Sequence, residues 1–92
     1  MAICRIEHDG LRELFETGDT ASIGADMKPK AILIMDFLDA AANFLDCQGV
    51  YKFHGLKGDL KGQFAMSVTA NWRITFKFED DGVAILDLVD YH

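Results

Sequence analysis

The sequence predicts an α+β fold: two N-terminal helices packed on one face of a mostly antiparallel, twisted sheet of four to five strands. Three observations carry this. Trp72, Ile74, Phe76 and Phe78 alternate with Arg73, Thr75, Lys77 and Glu79, the period of a half-buried strand. Asp80-Asp81-Gly82 separates that run from an apolar segment over residues 83–90, which signals a hairpin. Upstream, Leu11, Leu14 and Phe15 recur at the i, i+3, i+4 spacing of a helix face, and a longer apolar stretch follows Pro29.

Taken in order, residues 2–7 alternate loosely and predict a short strand. Asp9 is a plausible N-cap for the first helix, and Gly18 would end it in a left-handed cap. Residues 19–25 are small and polar and predict a loop. The second helix is expected over residues 27–46, with Asp26 as cap and Pro29 in the first turn, where its missing N–H costs nothing. Asp36, Asp39, Asn43 and Asp46 would form its polar stripe. Ile34, Met35, Phe37, Leu38, Ala41, Ala42 and Leu45 would pack it between the sheet and the first helix.

Residues 50–53 predict another short strand. Residues 55–62 hold three glycines and three charges, so they predict an exposed loop. Phe64, Met66 and Val68 alternate with small or polar neighbours, and Ala70-Asn71 makes the next turn. The last strand, residues 83–90, is almost wholly apolar apart from Asp87. It is therefore expected at the centre of the sheet, covered on both faces.

With 92 residues, half of them hydrophobic and one proline, the chain has enough apolar content for one core and one domain spanning residues 1–92. Cys4 and Cys47 lack metal or redox spacing and are expected as reduced thiols filling core space. There is no apolar run of membrane-spanning length and no signal-peptide layout at the N-terminus, so a cytoplasmic protein without a membrane partner is expected. The net charge of −6 argues against nonspecific nucleic-acid binding. The charge is uneven, however. Between residues 51 and 77 the basic side chains Lys52, Lys57, Lys61, Arg73 and Lys77 face Asp59 alone, which suggests a local phosphate-binding face.

Strand parity sharpens that suggestion. If Trp72, Ile74, Phe76 and Phe78 face the helices, then Arg73, Thr75 and Lys77 face away, with Asn71 at the same parity just before the strand. RNA cleavage by transesterification needs few parts there. A base takes the 2′-OH proton, an acid protonates the departing 5′-oxygen, and a cation stabilises the phosphorane. The nucleophile is the RNA's own 2′-oxygen, so neither a covalent residue nor a metal or other cofactor is called for. His54 and His92 carry imidazoles suited to proton transfer. Asp90 or Tyr91 can assist, and Tyr91 can stack on a base. Lys57 and Arg73 can hold phosphate, Arg73 through a planar fork. Each also has an ordinary structural alternative: a turn histidine at His54, a terminal His92, an edge-covering Tyr91, a turn-capping Asp90, or solubilising charges at Lys57 and Arg73. His8 has no partner in sequence and is read as part of the helix start.

Four blocks carry a resemblance: His8-Asp9-Gly10-Leu11-Arg12-Glu13-Leu14-Phe15-Glu16-Thr17-Gly18, Phe53-His54-Gly55-Leu56-Lys57-Gly58-Asp59, Ala70-Asn71-Trp72-Arg73-Ile74-Thr75-Phe76 and Asp90-Tyr91-His92. In order and spacing they resemble the HigB toxins of the RelE superfamily, the plasmid maintenance killer family. That resemblance implies a RelE-like microbial ribonuclease fold and a toxin of a type II toxin–antitoxin system. It implies metal-independent cleavage of mRNA in the ribosomal A site. It also implies a helix-turn-helix, HigA-like antitoxin as partner, with DNA reached only through the antitoxin complex. His54, Lys57, Arg73, Asp90, Tyr91 and His92 match the family's catalytic positions, and Lys52, Lys61, Asn71 and Lys77 are expected to contact RNA. Three departures stand out. Leu60 replaces a usual loop cation, Phe64 a frequent tryptophan, and the second helix is apolar and acidic where relatives carry more basic residues. An alternative class follows from them: a weakened homologue acting mainly as an antitoxin-binding module that tunes operon repression.

Overall fold

The computed structural model describes residues 1–90. Its elements run β1 (Ile3–Ile6), α1 (Asp9–Thr17), α2 (Lys28–Ala40), β2 (His54–Gly55), β3 (Phe64–Ser67), β4 (Trp72–Glu79) and β5 (Gly82–Asp90). The five strands form one sheet in the order β1-β5-β4-β3-β2. Only the β1–β5 pair is parallel among the described residues; β5–β4, β4–β3 and β3–β2 are antiparallel. The core lies between the helices and one sheet face. It joins Leu11 and Leu14 of α1, Ile34, Met35 and Leu38 of α2, and Met66, Ile74, Phe76, Val83 and Ile85 of the sheet. Burying each of these large apolar side chains stabilises the fold by roughly 1.5–3 kcal/mol. Phe53, Phe64, Phe76 and Phe78 extend the core toward β2 as an aromatic cluster, with Phe53 stacked on Phe64 at 5.2 Å between ring centroids. Cys47 is buried in this core and Cys4 is half-buried; both are free thiols. No helix among the described residues is long and apolar enough to cross a membrane.

Several local details depart from the sequence expectation. The N-cap of α1 is His8, not Asp9: its Nδ1 accepts from the Leu11 N–H at 3.1 Å. Asp9 instead opens the first turn and pairs with Arg12 at 2.6 Å. Gly18 does close the helix in a left-handed cap, with φ of 86°. Replacing His8 with Ala should therefore cost about 1 kcal/mol of stability in urea titration, and His8→Asn should recover most of it.

The second helix is shorter than predicted. Asp26 does not cap it; Met27 holds the cap position with no side-chain bond, and Pro29 lies in the first turn. The helix stops at Ala40, and a separate 3-10 turn spans Phe44–Cys47. The cause is the polar stripe itself. The Asn43 side chain accepts from Leu45 N–H at 2.9 Å, and Asp46 accepts from Ala42 N–H at 2.9 Å. These short side chains compete with the helix for its own backbone donors. Asp39 accepts from Ile3 N–H at 2.9 Å and so ties the start of β1 to α2. The strand expected over residues 50–53 is also absent. Tyr51 and Lys52 sit in the left-handed region, with φ of 50° and 58°, and the strand proper is only His54–Gly55.

Candidate functional site

Pairing register decides which side chains reach the sheet face opposite the helices. Ile74 stands across from Leu88 and Phe76 across from Ile85, so β5 carries one extra residue between these pairs. That bulge resets the alternation of β5. Val83, Ile85 and Leu88 meet the core, while Leu86, Asp87 and Val89 line the open face. The final strand is therefore central in the sheet, as expected, but not covered on both faces. Asp87 stands opposite Thr75 and Val89 opposite Arg73. On the other side of β4, Ala65 pairs with Thr75, Ser67 with Arg73, and His54 with Ala65. Directly paired residues share a face, so His54, Ala65, Thr75 and Asp87 form one cross-strand row on the open side. Strand spacing places the His54 and Thr75 backbones roughly 10 Å apart.

A cleft of about 560 Å³ lies along this face. Arg73, Thr75 and Lys77 of β4 enter it, as their parity predicts, together with Asp90 at the end of β5. Leu60 and Gln63 from the preceding loop, and Glu7 just beyond β1, complete its walls with Leu86, Asp87 and Val89. The other expected site residues that the structure describes lie outside its lining. His54 is exposed on the edge strand, its Nδ1 2.8 Å from the Lys52 carbonyl oxygen. Lys57 precedes a single 3-10 turn over Gly58–Leu60 and Lys61 follows it, both exposed. Lys52 is exposed in the left-handed turn. Asn71 is exposed in the β3–β4 turn, where the Thr69 hydroxyl accepts from the Asn71 and Trp72 N–H groups at 3.3 and 3.2 Å. Tyr91 and His92 lie outside the described residues.

The cleft is mixed in charge. Two cations, Arg73 and Lys77, share it with Glu7, Asp87 and Asp90. Lys77 is already engaged, with Nζ 3.3 Å from Glu79 Oε2, and the same carboxylate takes Arg5. Partial burial pushes the Glu79 carboxyl up, but hydrogen bonds from Arg5 and Lys77 outweigh it and hold the group below its ordinary range. Lys77 is thus a tethered charge, and Arg73 enters the same cleft from the middle of β4 with a planar fork that suits a phosphate. Near this ion-pair group, Cys4, Glu79 and Asp81 bring one potential ligand atom each within 4.8 Å of one another. They are poorly suited to a cation. Glu79 is committed to Arg5 and Lys77, and burial, followed by the nearby carboxylates, pushes the Cys4 thiol up and keeps it protonated.

Sequence reasoning missed Glu7, Gln63 and Asp87 as cleft residues. Asp87 was visible as the single charge inside an apolar strand, but the bulge that turns it outward was not. Glu7 reaches the cleft only through the parallel β1–β5 pairing, continued by its N–H to Ile85 O at 2.8 Å. No local pattern announces such a contact.

The family model of RelE-like toxins of the HigB type II toxin–antitoxin system matches residues 4–92. The chain is 38% identical over 87 residues to the endoribonuclease HigB of Proteus vulgaris, covering 94% of this chain and 95% of that protein. Among solved structures, it resembles the YoeB–YefM complex from Staphylococcus aureus, with a TM-score of 0.63, 16% identity and coverage of 95% and 94% of the two chains. YafQ from E. coli strain BL21(DE3) is similar with a TM-score of 0.60, 22% identity and coverage of 92% and 90%. At these identities the structural likenesses show the fold alone.

Proposed function

The chain belongs to the HigB family of RelE-like toxins of type II toxin–antitoxin systems, and from that premise we propose that it is an endoribonuclease that cleaves mRNA and inhibits translation. It acts in the cytoplasm on mRNA held in the ribosomal A site. A helix-turn-helix, HigA-like antitoxin binds it and holds it in check. The observation that supports this reading best is Arg73 in an open cleft walled by Leu60 and Gln63 of the lysine-bearing loop, on the same sheet face as His54 of the edge strand.

The chemistry follows from these positions. His54 takes or returns a proton at the reacting ribose. Arg73 and Lys57 meet the scissile phosphate as negative charge builds on it, and Asp90 supports them. Tyr91 and His92, from their place in sequence, are assigned to the same site, His92 as the second proton-transfer group. Lys52, Lys61, Asn71 and Lys77 contact the flanking RNA. The mixed charge of the cleft also gives a reason for ribosome dependence. The cleft itself supplies about two cations, a salt-slope contribution of roughly −1.4 for single strands, and Glu7, Asp87 and Asp90 oppose phosphate there, so capture of free RNA demands contacts beyond the cleft. A ribosome that presents the mRNA removes that demand by supplying the positioning.

Primer extension on translating ribosomes, with naked mRNA in parallel, tests this. Cleavage confined to ribosome-bound mRNA is expected, and no cleavage in either arm would refute the reading. One observation favours the weakened, antitoxin-binding alternative: Leu60, 42% exposed, puts an apolar side chain in the cleft wall where the family resemblance leads one to expect a cation. Leu60→Arg separates the two. On the ribonuclease reading it should raise cleavage several-fold and steepen the salt slope by about 0.7. Absent cleavage in both wild type and Leu60→Arg, with antitoxin binding retained, would favour the binding module.

A further inference from the structure

Two consecutive non-glycine residues in the left-handed region, Tyr51 and Lys52 with φ of 50° and 58°, are an unusual way to enter a two-residue strand. Each costs on the order of 1 kcal/mol and persists only where the surroundings enforce it. Here they do. The Tyr51 carbonyl accepts from the Ser67 N–H at 2.8 Å, which ties the turn to β3. The Tyr51 ring meets Phe37 of α2 edge-on at 6.2 Å, and Lys30 Nζ lies 4.8 Å from its centroid. On the far side, Phe53 N–H donates to Val50 O at 2.9 Å and the Phe53 ring stacks on Phe64. Both flanks of the turn are fixed to the core, and the strained backbone between them ends at one contact. The Lys52 carbonyl oxygen lies 2.8 Å from Nδ1 of His54.

A carbonyl oxygen can only accept, so the imidazole nitrogen facing it must carry the hydrogen. We propose that the Tyr51–Lys52 turn is a positioning device, in which the Lys52 carbonyl fixes neutral His54 as its Nδ1–H tautomer and leaves Nε2 as the atom that exchanges a proton with RNA. The catalytic half of this statement rests on the ribonuclease reading; the tautomer does not. Nδ1–H is the form that an unconstrained histidine disfavours, so the contact has work to do. The same Nδ1–H bond survives when the ring is protonated, so one nitrogen stays anchored while Nε2 alone gains and loses the proton. His54 stands in the cross-strand row of Thr75, on the face that carries Arg73, where such an atom is useful. The chain holds its own control. His8 uses Nδ1 as the acceptor for Leu11 N–H, so its ring must be the opposite, Nε2–H tautomer.

Nitrogen-15 correlation spectra of the full-length protein, at a pH where the rings are neutral, test the tautomer directly. His54→Gln and His8→Gln spectra supply the assignments. His54 is expected with Nδ1 in the protonated, pyrrole-type range and Nε2 in the lone-pair, pyridine-type range, and His8 the reverse. A His54 ring that is mainly Nε2–H, or averages between forms, overturns the proposal. A second arm compares Lys52→Gly with Lys52→Val. Both lose the amine, so a lost phosphate contact cancels between them. Glycine accepts positive φ, whereas β-branched valine resists it. The glycine variant should keep the Nδ1–H tautomer and cleave on the order of ten-fold faster than the valine variant. Equal tautomers and equal rates in two folded variants would overturn the role of the turn. A wild type with the expected tautomer but no cleavage would instead overturn the ribonuclease reading.

Discussion

Arg73→Ala should slow cleavage of ribosome-bound mRNA by about 10²–10³-fold, the usual loss when one donor to a charge-developing oxygen is removed. Cells expressing the variant without antitoxin should keep growing. The expectation follows from geometry and from charge. Arg73 enters the cleft from β4, its backbone paired on one side with Ser67 and on the other with Val89. A residue in the middle of a sheet offers little freedom to misplace its side chain. The neighbouring cation in the cleft, Lys77, pairs with Glu79 and presents a single ammonium in place of the planar fork. The fold should survive, because the core face of β4 is made by Ile74 and Phe76 on the other side of the strand. Arg73→Lys tests the chemistry more finely. It keeps the charge but loses the planar fork, so activity should fall between wild type and Arg73→Ala. Thermal unfolding of all three should agree within a few degrees. Wild-type toxicity in Arg73→Ala, at matched protein levels, would mean that the phosphate is held elsewhere.

Much of this site could be reached from sequence because one strand is so regular. The alternation of Trp72, Ile74, Phe76 and Phe78 is a local property, and it assigned Arg73, Thr75 and Lys77 to the open face correctly. Gly18 and the Asp80-Asp81 turn were legible for the same reason: the chemistry of a cap or a tight turn lies within a few residues. What escaped depended on distant partners. Nothing in Val50-Tyr51-Lys52-Phe53 favours the left-handed region, and its β-branched and aromatic residues point toward a strand. The conformation is imposed by Ser67 on β3 and Phe37 on α2, both remote in sequence. The bulge in β5 likewise follows from pairing with β4. The early end of α2 is different. The spacing of Asn43 and Asp46 fits one stripe of a long helix and equally a cap. In the fold capping prevails over periodicity, because these short polar side chains bond to the backbone.

The largest effect on stability is expected at Gly82, where the fold leaves no room for a side chain. Gly82 has φ of 140°, and a Cβ there would lie 2.0 Å from the Ala2 carbonyl oxygen. That oxygen cannot simply withdraw, because it accepts from Val83 N–H at 2.9 Å and so begins the parallel pairing of β1 with β5. Gly82→Ala must therefore push β1 off β5, twist the two-residue turn from Glu79, or both. Either route disturbs Val83, Ile85 and Ile6, which are buried in the core. The cost should be 3 kcal/mol or more, since it combines a forbidden backbone conformation with lost strand pairing. Gly58 supplies the comparison. It too has positive φ, of 65°, but a Cβ there would meet nothing within 4 Å. Gly58→Ala should then cost only about 1 kcal/mol, the conformational penalty by itself. Urea unfolding of the two variants beside wild type separates conformation from contact. Equal losses would show that β1 yields easily. A loss several times larger at Gly82 would show that the N-terminal strand is locked to the sheet by a contact only glycine permits.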